Sequence, residues 1–248
     1  MVDLLVSKSI TIQSHKGEYQ ANFFNNGLEK LNGNPVQGAI YIIDENIVKL
    51  YGDKLSDILT SQRVLRITAT EQNKSLDCFP EYIEQLVKLN IRREQVLVAI
   101  GGGIIQDITC FLAATMMRGL PWLFFPTTLL AQADSCIGSK SSINSGEIKN
   151  ILGTFTPPEK VVIDVGFLNT LEKKDIFSGV GEMIKVHAID SPDSFNQISH
   201  HYDEIIGDHL LMENFIYNSL LMKKKLIEVD EFDKGSRNVM NYGHSFGH

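Results

Sequence analysis

Between Gln95 and Ile100 the chain runs unbroken through an apolar stretch and then straight into Gly101-Gly102-Gly103. A strand with apolar side chains on both faces offers no side to water. It belongs inside a sheet covered above and below, which is the setting of a parallel strand. Related segments recur around it. Gly38 to Asp44 reads as a buried strand closing on an acid, and Arg63 to Thr70 alternates as another. Trp122 to Phe125 and Val161 to Asp164 complete the strand set. Between them, Asn46 to Leu59, Cys78 to Leu89 and Asp107 to Met117 carry helical spacing. Strand and helix alternate, which predicts an α/β domain with a doubly wound parallel sheet. After about residue 170 the character changes. Phe177 to Ile189, Leu210 to Val229 and Arg237 to His248 all read as helices, with no strand among them. The expected division is an α/β domain over residues 1–170 and a helical domain over 171–248, with a small-molecule site in the cleft between them.

Charge narrows the partner. The chain has 30 acidic and 23 basic residues and a net charge of −7. Such a surface argues against nucleic-acid binding, which needs a basic face, but leaves room for a basic pocket. No apolar run approaches the ~20 residues that span a bilayer; the longest, Leu120 to Ala133, is broken by Pro121 and Pro126. Met1 to Ser9 is too mixed for a signal peptide. Three cysteines, Cys78, Cys110 and Cys136, without a CxxC pair, fit reduced thiols in the cytoplasm.

Four segments carry chemistry. Gly101 to Asp107 places glycines between a strand and a helix, where backbone can approach a diphosphate at a helix N-terminus; it also reads as a tight turn, and it is not the GxGxxG fingerprint. Pro126-Thr127-Thr128 leads into Asp134-Ser135, Gly138-Ser139-Lys140 and Lys149-Asn150. The threonines serve equally as loop caps, but lysines set between apolar runs are more than solvated charge. In Gly179-Val180-Gly181-Glu182-Met183-Ile184-Lys185, Glu182 and Lys185 share one helix face. An exposed ion pair is the common meaning of that spacing; the small, apolar surroundings favour an interior one. Last, Arg237 to His248 places Asn241, His244 and His248 in one helical stripe. Two histidines four apart are a familiar but unspecific way to present metal ligands.

Together and in this order, these segments resemble the 3-dehydroquinate synthase family of sugar-phosphate cyclases, densely from Val98 to Leu171 and again over Gly179 to Ile189 and Lys223 to His248. The resemblance implies a Rossmann-like NAD domain followed by an incomplete all-helical metal- and substrate-binding domain. It implies NAD held by Asp44 and Asn46 at the adenosine ribose, Glu71 and Lys74 on the same side, Gly102, Gly103 and Asp107 at the diphosphate and nicotinamide ribose, and Thr127 and Thr128 nearby. Lys149, Phe167, Thr170 and Leu171 belong to the same cofactor set. A divalent metal, zinc or cobalt, falls to Glu182 and His244. Lys140, Asn150 and Asn241 are implied at the substrate phosphate, with Arg118 from a neighbouring subunit of a homodimer. Lys223 and Arg237 are implied at a carboxylate, Asp134 and Lys185 at hydroxyls, and His248 as a shuttle near the metal. In this family NAD oxidises a hydroxyl, phosphate leaves by β-elimination, the ketone is reduced again, and the ring recloses by aldol chemistry.

Departures from the family wording mark a divergent branch. Gln106 and Ser139 stand where glycine is usual, Ser141-Ser142 and Val186-His187 differ from the commonest sequence, and His187 reads as a helix residue rather than a ligand. Family members continue well past the position of His248, so a fragment of a longer product is expected. The resemblance supports 3-deoxy-arabino-heptulosonate 7-phosphate as the sugar phosphate. Asn241 and His248 favour it, since valiolone-type cyclases commonly change these positions, whereas Gln106 and Ser139 pull toward cyclases of sedoheptulose 7-phosphate type. A metal-dependent polyol dehydrogenase has no use for the full cationic set, and an inactive truncated homologue has none for the retained site residues.

Overall fold

The computed structural model describes residues 7–241. The apolar run becomes strand β5 (Leu97–Gly101), buried along its whole length. It lies between β3 (Ile40–Asp44) and β6 (Trp122–Pro126), parallel to both. Beyond β3 is β4 (Val64–Ile67); beyond β6 come β9 (Lys160–Ile163), β2 (Gly17–Phe23) and β1 (Lys8–Ser14). The sheet order is β1-β2-β9-β6-β5-β3-β4, and only the edge strand β1 runs antiparallel.

Helices cover both faces, as the apolar strands require. On one face, α1 (Gly27–Gly33), α2 (Glu45–Tyr51) and α3 (Ser56–Thr60) bury Leu28, Leu31, Ile47 and Ile58 against Ile43 and Ile100. On the other, α4 (Phe79–Lys88) and α5 (Gly103–Thr115) pack on Ile42 and Ala99. That apolar cluster continues without a break into α6 (Lys173–Asp190), α7 (Pro192–His200), α8 (Tyr202–Ile205) and α9 (His209–Val229), through Val180, Met183, Ile198, Ile205, Phe215 and Leu220. Among the described residues, no helix is long and apolar enough to cross a membrane.

The fold is the expected α/β class, with local differences. The helical spacing of Asn46 to Leu59 is interrupted: a 3₁₀ turn over Gly52–Leu55 separates α2 from α3. Helix α5 starts at Gly103, four residues before Asp107, because β5 enters it with no connecting loop. Arg237 to Asn241 lie in a 3₁₀ turn (Ser236–Asn241), not in an α-helix; the rest of that predicted helix, with His244 and His248, lies outside the described residues. The β1–β2 hairpin was not anticipated, nor was a second hairpin, β7 (Lys140–Ser145) with β8 (Ile148–Phe155), turning at Gly146.

Helix α6 approaches the segment after β6 closely enough that Gly179 is a steric requirement. A Cβ there would lie 2.5 Å from Leu129 Cγ, and Leu129 is fully buried. Gly179→Ala is expected to lower stability by about 1–3 kcal/mol through overpacking, measured by urea denaturation; an unchanged midpoint would show that the two elements can part without strain.

Candidate active site

The chain order of the parallel strands reverses direction at β3. The path leaves β3 outward to β4, then returns to β5 on the other side. In a doubly wound sheet, the crevice at the carboxyl ends of such strands is where ligands bind. A trough of ≈490 Å³ lies there, lined by Asp44 from β3, Gly102 and Gly103 from the start of α5, Thr127 and Thr128 after β6, and Thr170 and Leu171. Asp44 Oδ1 accepts from the Asn46 backbone N–H at 3.1 Å, capping α2, and burial lifts its carboxyl above the usual range. Asn46 lines the trough beside it. Thr170 Oγ1 is 2.8 Å from the Tyr51 hydroxyl, and Phe167 packs edge-on to the Tyr51 ring.

These residues fit a dinucleotide. The 13-residue helix α5 offers its first-turn N–H groups to an anion. A Cβ at Gly102 would lie 2.9 Å from Thr128 Cγ2, so the backbone and Thr128 can be this close only because position 102 is glycine.

The trough continues past Gly103 and Ile104 to a polar knot. Lys74, only 6% exposed, donates to Asp107 Oδ2 at 3.2 Å and to Asn150 Oδ1 at 2.9 Å. Glu71 lies 3.7 Å from the same ammonium. Asp107 Oδ1 also accepts from the Ser142 backbone N–H. Burial drives the Asp107 carboxyl up to about 6, against the pull of Lys74. Asn150, implied at the substrate phosphate, lies on β8; its Oδ1 also accepts from the Ser142 hydroxyl at 3.0 Å, and Ser142 and Lys140 line one pocket. Gln106, where glycine is usual, lies in the first turn of α5, three residues after Gly103. It is buried, and its amide donates to the Ser135 carbonyl while accepting from the Ser135 hydroxyl, both at 2.6 Å.

Beyond the knot is a pocket of ≈300 Å³. Its lining includes Asp134, Lys140, Lys185, Lys223, Asp233, Arg237 and Asn241. A turn of π-helix, Ala131–Ser135, carries Asp134; such turns are frequent at functional sites. Lys223 from α9 is 5% exposed and reaches Asp134 Oδ1 at 2.8 Å and its carbonyl at 2.6 Å. Burial pushes the Asp134 carboxyl up, but the attraction of Lys223, with Lys185 and Arg237, holds it below its ordinary range. Arg237 donates through Nη1 to the Glu231 carbonyl at 2.8 Å. Gly138 sits at φ +112, and a Cβ on it would lie 2.6 Å from Arg237 Nη2, so a side chain there would displace the guanidinium. Ser139 follows at φ +62, a region better suited to glycine; its hydroxyl donates to Glu231.

Glu182 and Lys185 on α6 form an ion pair, with side chains 14% and 15% exposed, so the interior reading of that spacing holds. His187 is buried too, its Nδ1 2.8 Å from the Met183 carbonyl. Among the described residues, no group of three or more His, Cys, Asp or Glu converges on a metal position. Glu182 is placed to contribute a single carboxylate, and His244 and His248 fall outside the described residues. Arg118 is exposed at the opposite end of the sheet, where the chain enters β6, and Lys149 is exposed on β8. The structure brings neither to the trough or the pocket. Asp233 was missed from sequence; the acidic run Asp230-Glu231-Phe232-Asp233 just before Arg237 was its signal.

A family model described as 3-dehydroquinate synthase N-terminal matches residues 64–178, and one described as 3-dehydroquinate synthase C-terminal matches residues 179–248. The chain belongs to the 3-dehydroquinate synthase family. A 3-dehydroquinate synthase from Alkaliphilus oremlandii is 38% identical over 84% of this chain and 58% of its own length. One from Pelagibacter ubique is 35% identical over 96% of this chain and 67% of its own length. The chain thus spans roughly three fifths of the curated relatives it matches. Among solved structures, a 2-epi-5-epi-valiolone synthase from Streptomyces hygroscopicus with NAD+ and Zn2+ bound is 26% identical, with a TM-score of 0.80 over 92% of this chain and 66% of that one.

Proposed function

We propose that this chain carries the dinucleotide- and substrate-binding part of a 3-dehydroquinate synthase, a lyase that converts 3-deoxy-arabino-heptulosonate 7-phosphate to 3-dehydroquinate and phosphate in the cytoplasm. The observation behind the reading is the pocket's charge. Four cations, Lys140, Lys185, Lys223 and Arg237, line the pocket against three carboxylates, Asp134 and Asp233 in its wall and Glu182 paired with Lys185, and the pocket meets the trough at Lys140. A surplus of cations in a recess of an acidic protein suits a substrate with more than one anionic group. The close relatives bear the same name.

In this reading, NAD lies along the trough and supplies a reversible hydride acceptor. Asp44 accepts from the ribose hydroxyls, and the start of α5 faces the diphosphate. Arg237 and Lys223 hold the carboxylate, the guanidinium as a planar fork and the ammonium as a point charge. Lys140, with Asn241, receives the phosphate. Asp134 and Lys185 orient the ring hydroxyls. Glu182 and His244 are the proposed holders of a divalent metal, zinc or cobalt, whose chemistry would be to polarise a hydroxyl. A homodimer would bring Arg118 of one subunit toward the phosphate of the other.

A second reading, a cyclase acting on sedoheptulose 7-phosphate, is supported by the likeness to the valiolone synthase. The two are separated by phosphate release from each sugar phosphate, with NAD and zinc or cobalt present, using the complete gene product. Release from the heptulosonate alone supports the first reading, release from sedoheptulose 7-phosphate alone supports the second, and release from neither overturns both. For the cofactor, Asp44→Ala is expected to weaken NAD binding about tenfold by removing a charged acceptor, read by fluorescence titration; unaltered affinity would remove Asp44 from the nucleotide site.

A further inference from the structure

Lys140 lines both the pocket and the adjoining stretch of the trough. Its side chain is 48% exposed, and its Nζ lies 2.5 Å from Asp233 Oδ2. Asp233 belongs to the loop between α9 and Arg237, and its side chain is only 9% exposed.

Two features make the position of this carboxylate costly. Its backbone has φ +55, in the left-handed region that residues with a Cβ adopt reluctantly. Its second oxygen, Oδ1, is buried and has no hydrogen-bond partner among the described residues, and an unpaired buried acceptor loses its water for nothing in return. The Lys140 ammonium is what offsets both. The loop does not depend on Asp233 for its shape. Asp230 accepts from the backbone N–H groups of Lys234, Gly235 and Arg237. Glu231 accepts from the His15 backbone N–H at 2.7 Å and from Ser139. Asp233 can therefore leave Lys140 while the loop stays in place.

We infer that Asp233 is a resident counter-anion at Lys140, which the substrate's phosphate displaces on binding. The inference rests on the reading of Lys140 as the phosphate-binding lysine. A singly charged carboxylate arriving at Lys140 exchanges like for like. A phosphate dianion brings more charge and three acceptor oxygens, so Asp233 sets a threshold that favours phosphate esters. The same contact keeps the Lys140 ammonium paired while the pocket waits for substrate.

The test is calorimetric titration of inorganic phosphate at fixed ionic strength, at a pH where phosphate is a dianion. The proteins are the unaltered one, Asp233→Asn, Asp233→Gly and Lys140→Met. Asparagine and glycine both tolerate the left-handed backbone, so each removes the charge without forcing the loop to move. The expected result is phosphate binding about fivefold tighter in both Asp233 variants, the scale of one partly exposed ion pair, and weaker binding in Lys140→Met. A purely structural role for Asp233 would not tighten binding. If Lys140→Met weakens binding and neither Asp233 variant tightens it, the counter-anion is overturned and Lys140 keeps its role. If Lys140→Met binds phosphate as well as the unaltered protein, Lys140 is not the phosphate lysine and the inference falls with that reading.

Discussion

Lys223→Met is expected to cost about 3 kcal/mol of stability at neutral pH, and to cost much less at pH 5. The first part follows from burial. Removing one member of a buried ion pair leaves an uncompensated charge, and such changes cost roughly 3–5 kcal/mol; Asp134 keeps 20% of its side chain exposed, which favours the lower end. The second part follows from linkage. In the intact fold, burial raises the Asp134 carboxyl, but Lys223 outweighs it and the net position is below the ordinary value. The unfolded carboxyl titrates near ~3.9. The pair's stabilisation is therefore complete above that pH and is lost as pH falls through the lower folded value. Without Lys223, the main opposing attraction is gone and burial dominates, so the folded carboxyl titrates above its unfolded value. The penalty is then present at neutral pH and relieved on acidification. Urea unfolding at pH 8 and pH 5 measures both parts, and an equal loss at the two values would mean that Asp134 is not a buried charge waiting for its partner.

The second large effect is on turnover. On the proposed reading, Arg237→Lys should lower kcat/KM for the heptulosonate phosphate about 30-fold, within the 1.5–3 kcal/mol typical of hydrogen bonds to charged groups. It keeps the charge and loses the fork. Affinity for inorganic phosphate should be unchanged, because the phosphate is assigned to Lys140. If phosphate affinity falls in parallel, the role of Arg237 is to hold Gly138 and the Glu231 carbonyl, and the carboxylate must be sought at Lys223 alone.

Sequence reasoning went furthest where one residue type admits one environment. The run from Gln95 into three glycines reads as a central strand covered on both faces, and the trough lies where that run ends. Glu182 and Lys185 were read correctly as interior because the residues between and around them leave no polar face. It failed where position depends on partners far along the chain. The hairpin that sets Asn150, implied at the phosphate, against Lys74 and Ser142 was not anticipated. The partner of Gln106 was not legible either: Ser135, distant in sequence, takes both ends of its amide. Asp233 drew no notice because an acid in a short charged stretch before Gly235 reads as ordinary loop; its meaning comes from Lys140, some ninety residues earlier.

The direct passage of β5 into α5 has a bearing on how such a protein changes over time. With no loop between Gly101 and Gly103, the floor of the trough has no slack to vary. The walls of the pocket are another matter: a π-turn, a hairpin entry and the Asp230–Arg237 loop, each tied down by a few side-chain bonds. Mutation can remodel those walls and still leave the floor intact. A lineage can thus reshape the pocket while the trough stays the same, and ligand preference in such folds should drift loop by loop rather than strand by strand.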